Sequence, residues 1–509
     1  METKTAAIEM RNITKRFGPV LANDKVWLNI YRGEILALLG ENGSGKTTLM
    51  NMLSGIYFPD EGEIKIDGKE VVIRSPKDAF DNGIGMIHQH FKLVDVLTAA
   101  ENIVLGLPGK LDLKAASAKI REICDKYGFS VDPAQKIYDM SFSQKQTVEI
   151  VKVLYRGADI LILDEPTAVL TPQETDKLFA VLRNMRNDGK AIVIITHKMH
   201  EVEALSDRVA ILRHGQFIGD MLTAHTNAQE MTNMMVGHAV SLNIERPDPV
   251  DPKPRIEVKG LTVRSVDGIV KLDDVSFTAN SGEILGIAGI SGCGQKELLE
   301  AIAGLQTVES GSISYIEDDG SREELIGKDP LSIAELGVSL SFVPEDRLGM
   351  GLVGNMNLAD NMMLRSFRRG KSIFTDRRSP RALAESVVQE LSVSTPSVDT
   401  PVRRLSGGNV QKVLVGREIA SAPTVLLTAY AVRGLDIHSS YTIYDLINRQ
   451  KKAGVAVIFV GEDLDVLLEL CDRILVLCGG KVSGIVSGRG AEKREVGMMM
   501  TKLGGQSHE

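Results

Sequence analysis

The stretch Gly40-Glu41-Asn42-Gly43-Ser44-Gly45-Lys46-Thr47 decides the fold of the chain around it. It fits the pattern G-x-x-x-x-G-K-[ST], follows an apolar run at 34–39 that is typical of a strand, and precedes a helical segment at 47–53. Glycines let backbone N–H groups turn inward around phosphate oxygens, and the start of the next helix favours the same anion. The pattern therefore predicts a phosphate-binding loop in which Lys46 reaches the β- and γ-phosphates and Thr47 ligates Mg²⁺. The alternative is a glycine turn with a solvated lysine.

A pair of acids, Asp164-Glu165, directly follows the apolar run at 160–163. This run and another at 191–195 are short and rich in β-branched residues without alternation, which is typical of parallel strands covered on both faces. Buried helix turns are the alternative. Neighbouring side chains at a strand end diverge, so we expect Asp164 to face the metal and Glu165 to act as the base toward water. Without a phosphate loop, two such acids would more often be a solvated turn.

The chain is an internal repeat. Gly33-Glu34-Ile35-Leu36 returns as Gly282-Glu283-Ile284-Leu285 at an offset of 249, and Asp207-Arg208 returns as Asp472-Arg473 at an offset of 265. Sixteen extra residues of the second half must therefore lie between its glycine loop and residue 406. Four prolines in the ten residues at 245–254 predict a short extended linker. We expect a first domain over 1–245, a linker over 246–255 and a second domain over 256–509.

Composition excludes several classes of protein. The 509 residues are 43% apolar and 25% charged with a net charge of −8, as in ordinary globular chains, and the acidic balance argues against a nucleic-acid partner. The longest stretches without charged residues, 231–244 and 419–432, are shorter than a membrane-spanning helix requires. We therefore expect no membrane span, and the first ten residues show no secretion signal. Four scattered cysteines fit a reducing compartment better than a disulfide framework or a zinc site.

These motifs together resemble the ATP-hydrolysing subunits of ABC transporters in which two nucleotide-binding domains are fused in tandem. Leu405-Ser406-Gly407-Gly408-Asn409 is similar to the signature element of that family, whereas the first half reads Met140-Ser141-Phe142-Ser143-Gln144 at the same place. The resemblance implies an α/β fold of tandem P-loop NTPase domains, each with a mainly parallel sheet core, an antiparallel β part and a helical subdomain. It also implies that each ATP lies between the phosphate loop of one domain and the signature of the other.

The resemblance assigns roles to further residues. Phe17 stands where the family stacks an aromatic ring on adenine, although a core aromatic is the alternative; Gln89 matches the glutamine that touches Mg²⁺ and couples to the membrane partner. His197 matches the histidine near the γ-phosphate. The predicted catalytic residues are Glu165, His197, Lys46 and Gln89, and the predicted metal ligands are Thr47, Gln89 and Asp164. The predicted nucleotide-binding residues are Phe17, Gly40, Asn42, Gly43, Ser44, Gly45, Lys46, Thr47, Thr48, Ser406, Gly407, Gly408 and Gln411.

The second half departs from the family pattern at every catalytic position. By the repeat offsets, Lys46 and Thr47 correspond to Gln295 and Lys296, Asp164 and Glu165 to Ala429 and Tyr430, and His197 to Glu462. Gln89 matches Glu345 when a small shift is allowed. These residues supply no metal ligand, base or γ-phosphate sensor. The first half keeps its phosphate loop and the second half keeps its signature. We therefore predict one hydrolytic site and one non-hydrolytic site.

The resemblance implies an energy-coupling ATPase of an importer that uses ATP and Mg²⁺. Its partners would be two transmembrane permease subunits and, through them, an extracytoplasmic solute-binding protein, with no nucleic acid and a peripheral position on the cytoplasmic face. The segment 86–93 looks like the nucleoside-importing branch, and the loop at 344–347 is similar to importers of simple sugars such as ribose. Nucleosides are the favoured solute and ribose-type sugars the alternative. A ribosome-associated tandem ABC ATPase is the alternative of another class, but such proteins normally keep both sites.

Overall fold

The chain folds into two compact units, Met1–Ser241 and Leu242–Glu509. The computed structural model describes residues 6–88, 91–109, 112–196, 198–237, 243–265, 267–290, 292–342, 351–364, 366–367, 375–420, 422–433, 435–461 and 463–501. The proline-rich segment predicted as a linker contacts the second unit. Arg246 donates from Nη1 to the carbonyl oxygen of Leu468 at 2.8 Å, and Lys451 donates from Nζ to the carbonyl oxygen of Pro247.

Two sheets form the first unit, an antiparallel one and a mainly parallel one. The strands are β1 (Ala6–Phe17), β2 (Val20–Tyr31), β3 (Glu34–Leu39), β4 (Glu61–Ile66), β5 (Lys69–Val71), β6 (Ile84–Ile87), β7 (Ile160–Asp164), β8 (Ala191–Ile195), β9 (Arg208–Arg213) and β10 (Gln216–Leu222). The antiparallel sheet has the order β2-β1-β4-β5. The six-stranded sheet has the order β10-β9-β3-β8-β7-β6, with β10 antiparallel at its edge and the other neighbouring strands parallel.

The first unit has eight helices among its described residues. They are α1 (Lys46–Leu53), α2 (Pro76–Asp81), α3 (Ala99–Val104), α4 (Leu113–Tyr127), α5 (Phe142–Tyr155), α6 (Pro172–Asn187), α7 (Met199–Leu205) and α8 (Ala228–Val236). Three of them, α3, α4 and α5, pack together as a separate group. Ile103, Ile120 and Val148 bury one face each of α3, α4 and α5 in a hydrophobic cluster of their own. This cluster is the core of the helical subdomain.

The second unit repeats the arrangement of the first. Its strands are β11 (Pro254–Arg264), β12 (Val270–Asn280), β13 (Ile284–Ala288), β14 (Val308–Ile316), β15 (Arg322–Glu324), β16 (Val338–Phe342), β17 (Val425–Ala429), β18 (Ala456–Val460), β19 (Arg473–Cys478) and β20 (Lys481–Ser487). The sheet orders β12-β11-β14-β15 and β16-β17-β18-β13-β19-β20 match those of the first unit. Its helices are α9 (Gln295–Ile302), α10 (Pro330–Glu335), α11 (Leu358–Met363), α12 (Arg378–Glu390), α13 (Gly407–Ile419), α14 (Ile437–Lys452), α15 (Leu464–Leu470) and α16 (Lys493–Met499).

Matching the elements locates the extra residues of the second half. They are divided among three connections, from β14 to α10, from β16 to α11 and from α11 to α13. The repeat also extends to an ion pair made by a buried glutamate. Glu34 and Arg208 pair at 2.7 Å in the first unit, and Glu283 and Arg473 pair in the second. These observations confirm the predicted fold class of tandem α/β domains.

The predicted buried strands are confirmed. All residues of β3 and β8 are buried, as are the first four residues of β7. Because both faces of these strands are covered by helices or by the antiparallel sheet, the sequence shows continuous apolar runs instead of alternation. The carboxyl ends of β3 and β7 lead into the glycine loop and the acid pair. In open parallel sheets this edge is where ligands bind.

Candidate nucleotide-binding site

The glycine loop turns sharply between β3 and α1 because two of its glycines have no room for a side chain. A Cβ on Gly40 would lie 2.3 Å from the carbonyl oxygen of Leu212, and one on Gly45 would lie 2.3 Å from that of Ala22. Gly45 also has a φ of +93°, a conformation that other residues adopt at a cost. By contrast, Gly43 has a positive φ but open space around it, and Asn42 is exposed. The loop backbone is therefore packed closely against the carbonyl groups of Leu212 and Ala22.

Lys46 is the first residue of α1 and its ammonium group is folded onto the loop. Nζ donates to the carbonyl oxygens of Gly40 at 2.7 Å and Glu41 at 2.9 Å, and the residue is only 7% exposed. Burial lowers the pKa of the ammonium, and the carboxylates of Glu165 and Asp164 oppose that shift. The lysine thus holds a buried positive charge at the mouth of the loop, where an anionic phosphate would stabilise it.

Thr47 and Asp164 lie side by side at the carboxyl edge of the sheet. The Thr47 hydroxyl donates to Oδ2 of Asp164 at 3.4 Å. Burial and the neighbouring Glu165 raise the pKa of Asp164 from 3.8 to about 6, although Lys46 and Thr47 pull in the opposite direction. A hydroxyl and a carboxylate oxygen at this distance are ligands of the kind that Mg²⁺ takes together with phosphate oxygens.

Glu165 has an unusual backbone that turns it away from β7. Its φ is +49°, and its N–H group donates to the carbonyl oxygen of Ile195 at the end of β8, at 2.9 Å. Tyr430 takes the same conformation in the second unit, with a φ of +55° and a bond to the carbonyl oxygen of Val460 at 2.9 Å. A non-glycine residue held in the left-handed region is a frequent feature of functional sites.

Phe17 lies at the end of β1 and is 42% exposed, so it is not a core aromatic. Its ring meets the edge of Tyr57 at a centroid distance of 5.1 Å, and Nζ of Lys15 lies 5.6 Å from its centroid. An exposed ring held by neighbours in this way is available to stack on a base. Thr48 is half-buried in the first turn of α1.

Ser406 caps the N-terminus of α13 in the second unit. Its hydroxyl accepts hydrogen bonds from the backbone N–H of Asn409 at 3.5 Å and from Nδ2 of the same residue at 2.9 Å. Gly407 and Gly408 form the first helical turn, and a Cβ on Gly408 would lie 3.4 Å from Leu435. This helix start presents small residues and backbone N–H groups, which is the surface an anion requires.

The side chain of Gln411, which is predicted to contact the nucleotide, is buried in the second unit, and the contact with nucleotide stays a prediction. Its side chain is fully buried, and Nε2 donates to the carbonyl oxygens of Tyr430 at 3.2 Å and of Ala431. Gln146 does the same in the first unit, where Nε2 donates to the carbonyl oxygen of Pro166 at 2.5 Å. Each glutamine connects the signature helix of its unit to the loop that follows β7 or β17.

The first unit has a different surface at the place of the signature. Ser141 caps α5 with a capping box to Gln144, so the helix start is preserved. The next residue, Phe142, is partly exposed, and its ring packs on Phe91 at a centroid distance of 4.5 Å. Phe142 and Ser143 stand where the second unit has Gly407 and Gly408, which supports the prediction that this signature is degenerate.

The second unit keeps the shape of the phosphate loop but not its charge. Gly292 and Gly294 have φ values of +85° and +98°, close to those of their counterparts. Gln295 is buried, and Nε2 donates to the carbonyl oxygen of Ile290 at 3.3 Å, the position that Lys46 contacts in the first unit. Lys296 forms an ion pair with Glu300 at 3.6 Å along α9. The amide therefore replaces the ammonium as a brace for the loop.

Two of the predicted catalytic residues, Gln89 and His197, lie outside the described residues, as do their counterparts Glu345 and Glu462. Their predicted roles stay predictions. The chain next to His197 is described, however. Thr167 donates to Oε2 of Glu201 at 2.6 Å, and Lys198 pairs with Glu201 at 3.2 Å. The buried Glu201 thus joins the loop after Glu165 to the start of α7.

Sequence reasoning missed one buried polar residue, Asn23, which contacts the loop. Asn23 on β2 donates from Nδ2 to the carbonyl oxygen of Gly45 at 3.3 Å. Its Oδ1 atom and the hydroxyl of Ser44 are buried and have no hydrogen-bond partner among the described residues. The second unit has Leu272 and Cys293 at these places. No motif could identify Asn23, because it precedes the loop and belongs to another strand.

The residues present fit a magnesium nucleotide. The cradle has no space for a side chain at Gly40 or Gly45, a buried ammonium group lies at its mouth, and a hydroxyl and a carboxylate supply oxygen ligands. Among the residues that the structure describes, no cluster of three or more His, Cys, Asp or Glu side chains could hold a metal ion. A cation at Thr47 and Asp164 would take phosphate oxygens as further ligands.

Comparison with known proteins places this site in a family. The family model described as ABC transporter matches residues 23–168 and 272–428. The chain is 42% identical to a nucleoside import ATP-binding protein (NupA) of Lactococcus lactis, with 99% of each chain covered. It is 40% identical to a guanosine import ATP-binding protein (NupO) of Bacillus subtilis, with 97% of each covered. It is also 38% identical to a ribose import ATP-binding protein (RbsA 1) of Rubrobacter xylanophilus, with 96% and 97% covered.

Proposed function

The chain belongs to the ABC transporter family, and we propose that it is the ATP-hydrolysing, energy-coupling subunit of a nucleoside importer. The observation that carries the ATPase assignment is the intact set of Lys46, Thr47, Asp164 and Glu165 at one sheet edge. Import is supported by relatives that match nearly the whole chain and are named as import ATP-binding proteins. The same full-length matches do not favour a ribosome-associated role.

In the proposed reaction, this chain binds ATP and positions water on its γ-phosphate. Loop N–H groups and Lys46 hold the phosphates, and the ammonium exchanges its bonds to Gly40 and Glu41 for phosphate oxygens. Thr47 and Asp164 would hold Mg²⁺, which supplies charge neutralisation when bound. Glu165, the next residue after Asp164 at this edge of the sheet, would accept the proton of the attacking water.

The second unit is proposed to lack hydrolysis. Gln295 braces its loop without a charge, and Ala429 and Tyr430 offer no carboxylate to a metal or a water. Ser406, Gly407 and Gly408 remain as the proposed anion-binding helix start of this unit. The pairing of this signature with the phosphate loop of the first unit stays a prediction from the family resemblance.

The proposed partners are two permease subunits and a solute-binding protein. Among the described residues, no helix combines the length and the apolar character that crossing a bilayer requires. We propose that the chain attaches to the membrane through the permeases, on the cytoplasmic side. Nucleosides are proposed as the solute because two relatives with at least 40% identity are named for nucleoside or guanosine import. A ribose-type sugar is the second candidate, favoured by the ribose relative.

The test of the ATPase assignment uses equivalent positions of the two units. Glu165→Gln should lower ATP hydrolysis at least about 100-fold, the usual contribution of a general base, while ATP still binds. Tyr430→Phe is the matched control, because Tyr430 has the same backbone conformation in the second unit. It should leave the rate nearly unchanged. Phosphate release and equilibrium nucleotide binding measure both effects, and substantial hydrolysis by the Glu165→Gln variant would refute the assignment.

The solute is tested in cells that lack this chain but keep its permeases. Uptake of labelled guanosine and of labelled ribose is measured after the wild type or the Glu165→Gln variant is restored. Restoration of guanosine uptake by the wild type alone is the expected result. Restoration of ribose uptake without guanosine uptake would replace the proposed solute with the second candidate and leave the ATPase assignment intact.

A further inference from the structure

One buried carboxylate in the first unit connects the loop that follows Glu165 to the segment that follows β8. Glu201 on α7 is only 5% exposed. Its Oε2 atom accepts a hydrogen bond from the hydroxyl of Thr167 at 2.6 Å, and its Oε1 atom pairs with Nζ of Lys198 at 3.2 Å. Lys198 also donates from Nζ to the carbonyl oxygen of Thr167 at 3.2 Å. Polar contacts that meet at a single side chain therefore hold the two segments together.

The loop after β7 has two further anchors, and both of these recur in the loop after β17. The N–H group of Glu165 donates to the end of β8, and that of Tyr430 donates to the end of β18 in the same way. Gln146 and Gln411 each bind a backbone carbonyl group of the next residue in the loop. Glu165 and Tyr430 also have similar φ values of +49° and +55°. Two anchors are therefore sufficient to set the backbone of this loop.

The contact with Glu201 is the anchor that has no equivalent in the second unit. Helices α7 and α15 match at an offset of 265, so Val466 stands in the place of Glu201 and Val432 in the place of Thr167. Both valines are partly buried and pack against the core of the second unit. Two apolar side chains thus replace a hydrogen-bonded pair.

This difference between the units separates folding from function. A buried carboxylate costs free energy unless it is paired, and replacement of a buried polar pair by apolar residues is often neutral for stability. The backbone of the second unit shows that the loop folds without the pair. The first unit has the pair together with Glu165, the base of the proposed hydrolysis, which lies two residues before Thr167 in the chain. Hydrogen bonds to carboxylates are short and strong, so the bond at 2.6 Å restricts the loop next to the base.

We propose that Glu201 is a positioning residue for ATP hydrolysis, which fixes the loop that begins at Glu165 against the segment that begins at Lys198. This inference rests on the proposed ATPase function. Glu201 acts through Thr167 rather than by touching the nucleotide. Because displacement of a catalytic group by about 1 Å can lower a rate roughly 100-fold, loss of the contact should lower kcat. ATP binding depends on the phosphate loop and should be retained.

The test installs the side chains of the second unit in the first unit of the full chain. The double variant Thr167→Val/Glu201→Val should fold with a stability near that of the wild type, because both partners of the bond become apolar. Its kcat for ATP hydrolysis should fall at least about 10-fold, while KM and the equilibrium affinity for ATP change less than about 2-fold. Unchanged kcat in the folded double variant, or a loss of ATP affinity as large as the loss of kcat, would overturn the proposal.

Single variants identify the group responsible. Thr167→Val removes the hydroxyl alone and should also lower kcat, so it keeps the proposal testable should the double variant fail to fold. Thr167→Ser restores a hydroxyl and should recover most of the wild-type kcat. Equal losses in the serine and valine variants would contradict a role for the bond to Glu201. Glu203→Val, at an exposed position of α7, is the control and should hydrolyse ATP as the wild type does.

The wild type and the Glu165→Gln variant separate failure of this proposal from failure of the proposed function. Absence of ATP hydrolysis by the wild type, or hydrolysis by Glu165→Gln, would refute the ATPase assignment at this site. Hydrolysis by the wild type and loss in Glu165→Gln, together with full kcat in Thr167→Val/Glu201→Val, would overturn the role of Glu201 alone.

Discussion

Replacing Asp164 by asparagine should make the first unit more stable at neutral pH although it abolishes metal binding. The folded protein without metal raises the pKa of Asp164 from 3.8 to about 6, first through burial and then through Glu165. Between these two pH values the folded state keeps a proton that the unfolded state loses. Stability from this group therefore falls as pH rises from about 4 to about 6, and it stays low above that. At 1.36 kcal/mol per pKa unit, the loss is about 3 kcal/mol.

The assay exploits the single tryptophan of the chain, Trp27, which lies in the first unit. Denaturant unfolding is followed by its fluorescence with a metal chelator present and without nucleotide. Asp164→Asn should raise the free energy of unfolding by about 3 kcal/mol at pH 8 and leave it nearly unchanged at pH 4. Asp125→Asn, an exposed acid on α4, is the control and should show no pH-dependent difference. An equal difference at both pH values, or a variant less stable than the wild type at pH 8, would refute the reasoning.

Three further predictions concern the loop and the aromatic at its side. Lys46→Gln keeps a side chain that can brace the loop, as Gln295 does, but removes the charge, so ATP affinity should fall about 100-fold in equilibrium binding without loss of fold. Phe17→Ala should raise the KM for ATP by roughly 2- to 10-fold with kcat unchanged, since stacking contributes about 0.5–1.5 kcal/mol; a fall in kcat alone would contradict it. Gly45→Ala should destabilise the first unit by several kcal/mol in Trp27 fluorescence, whereas Gly43→Ala, which has open space, should cost about 1–2 kcal/mol; equal costs would contradict the packing argument.

The local motifs were sufficient to predict the fold and the meeting of the phosphate loop with the acid pair at one edge of the sheet. The phosphate loop, the acid pair and the repeat each depend on residues that are close in sequence, so their pattern determines the strand or helix that carries them. The buried state of Gln411 could not be predicted in this way. Its orientation depends on which face of α13 packs against the loop after β17, and that packing is tertiary. The contact of Asn23 with Gly45 is missed for the same reason.

The repeat offsets alone could not locate the extra residues of the second half within one connection. Two matching motifs bracket the extra residues of the second half, but they cannot say how many connections contain them. The structure divides them among three, because paired strands and helix caps give intermediate points of alignment.

The loss of the lysine and the loss of the two acids in the second unit are physically coupled. Lys46 tolerates burial because the carboxylates of Glu165 and Asp164 support its positive charge. The second unit has Ala429 and Tyr430 in place of these acids, and Gln295 is as buried as Lys46. An ammonium group there would be a buried charge without a carboxylate partner in the acid position, which costs several kcal/mol. A neutral amide avoids that cost and still donates to Ile290, so the loop keeps its shape. Where the acids are absent, a buried amide costs less than a buried ammonium group, and the shape of a phosphate loop therefore does not show that it hydrolyses a nucleotide.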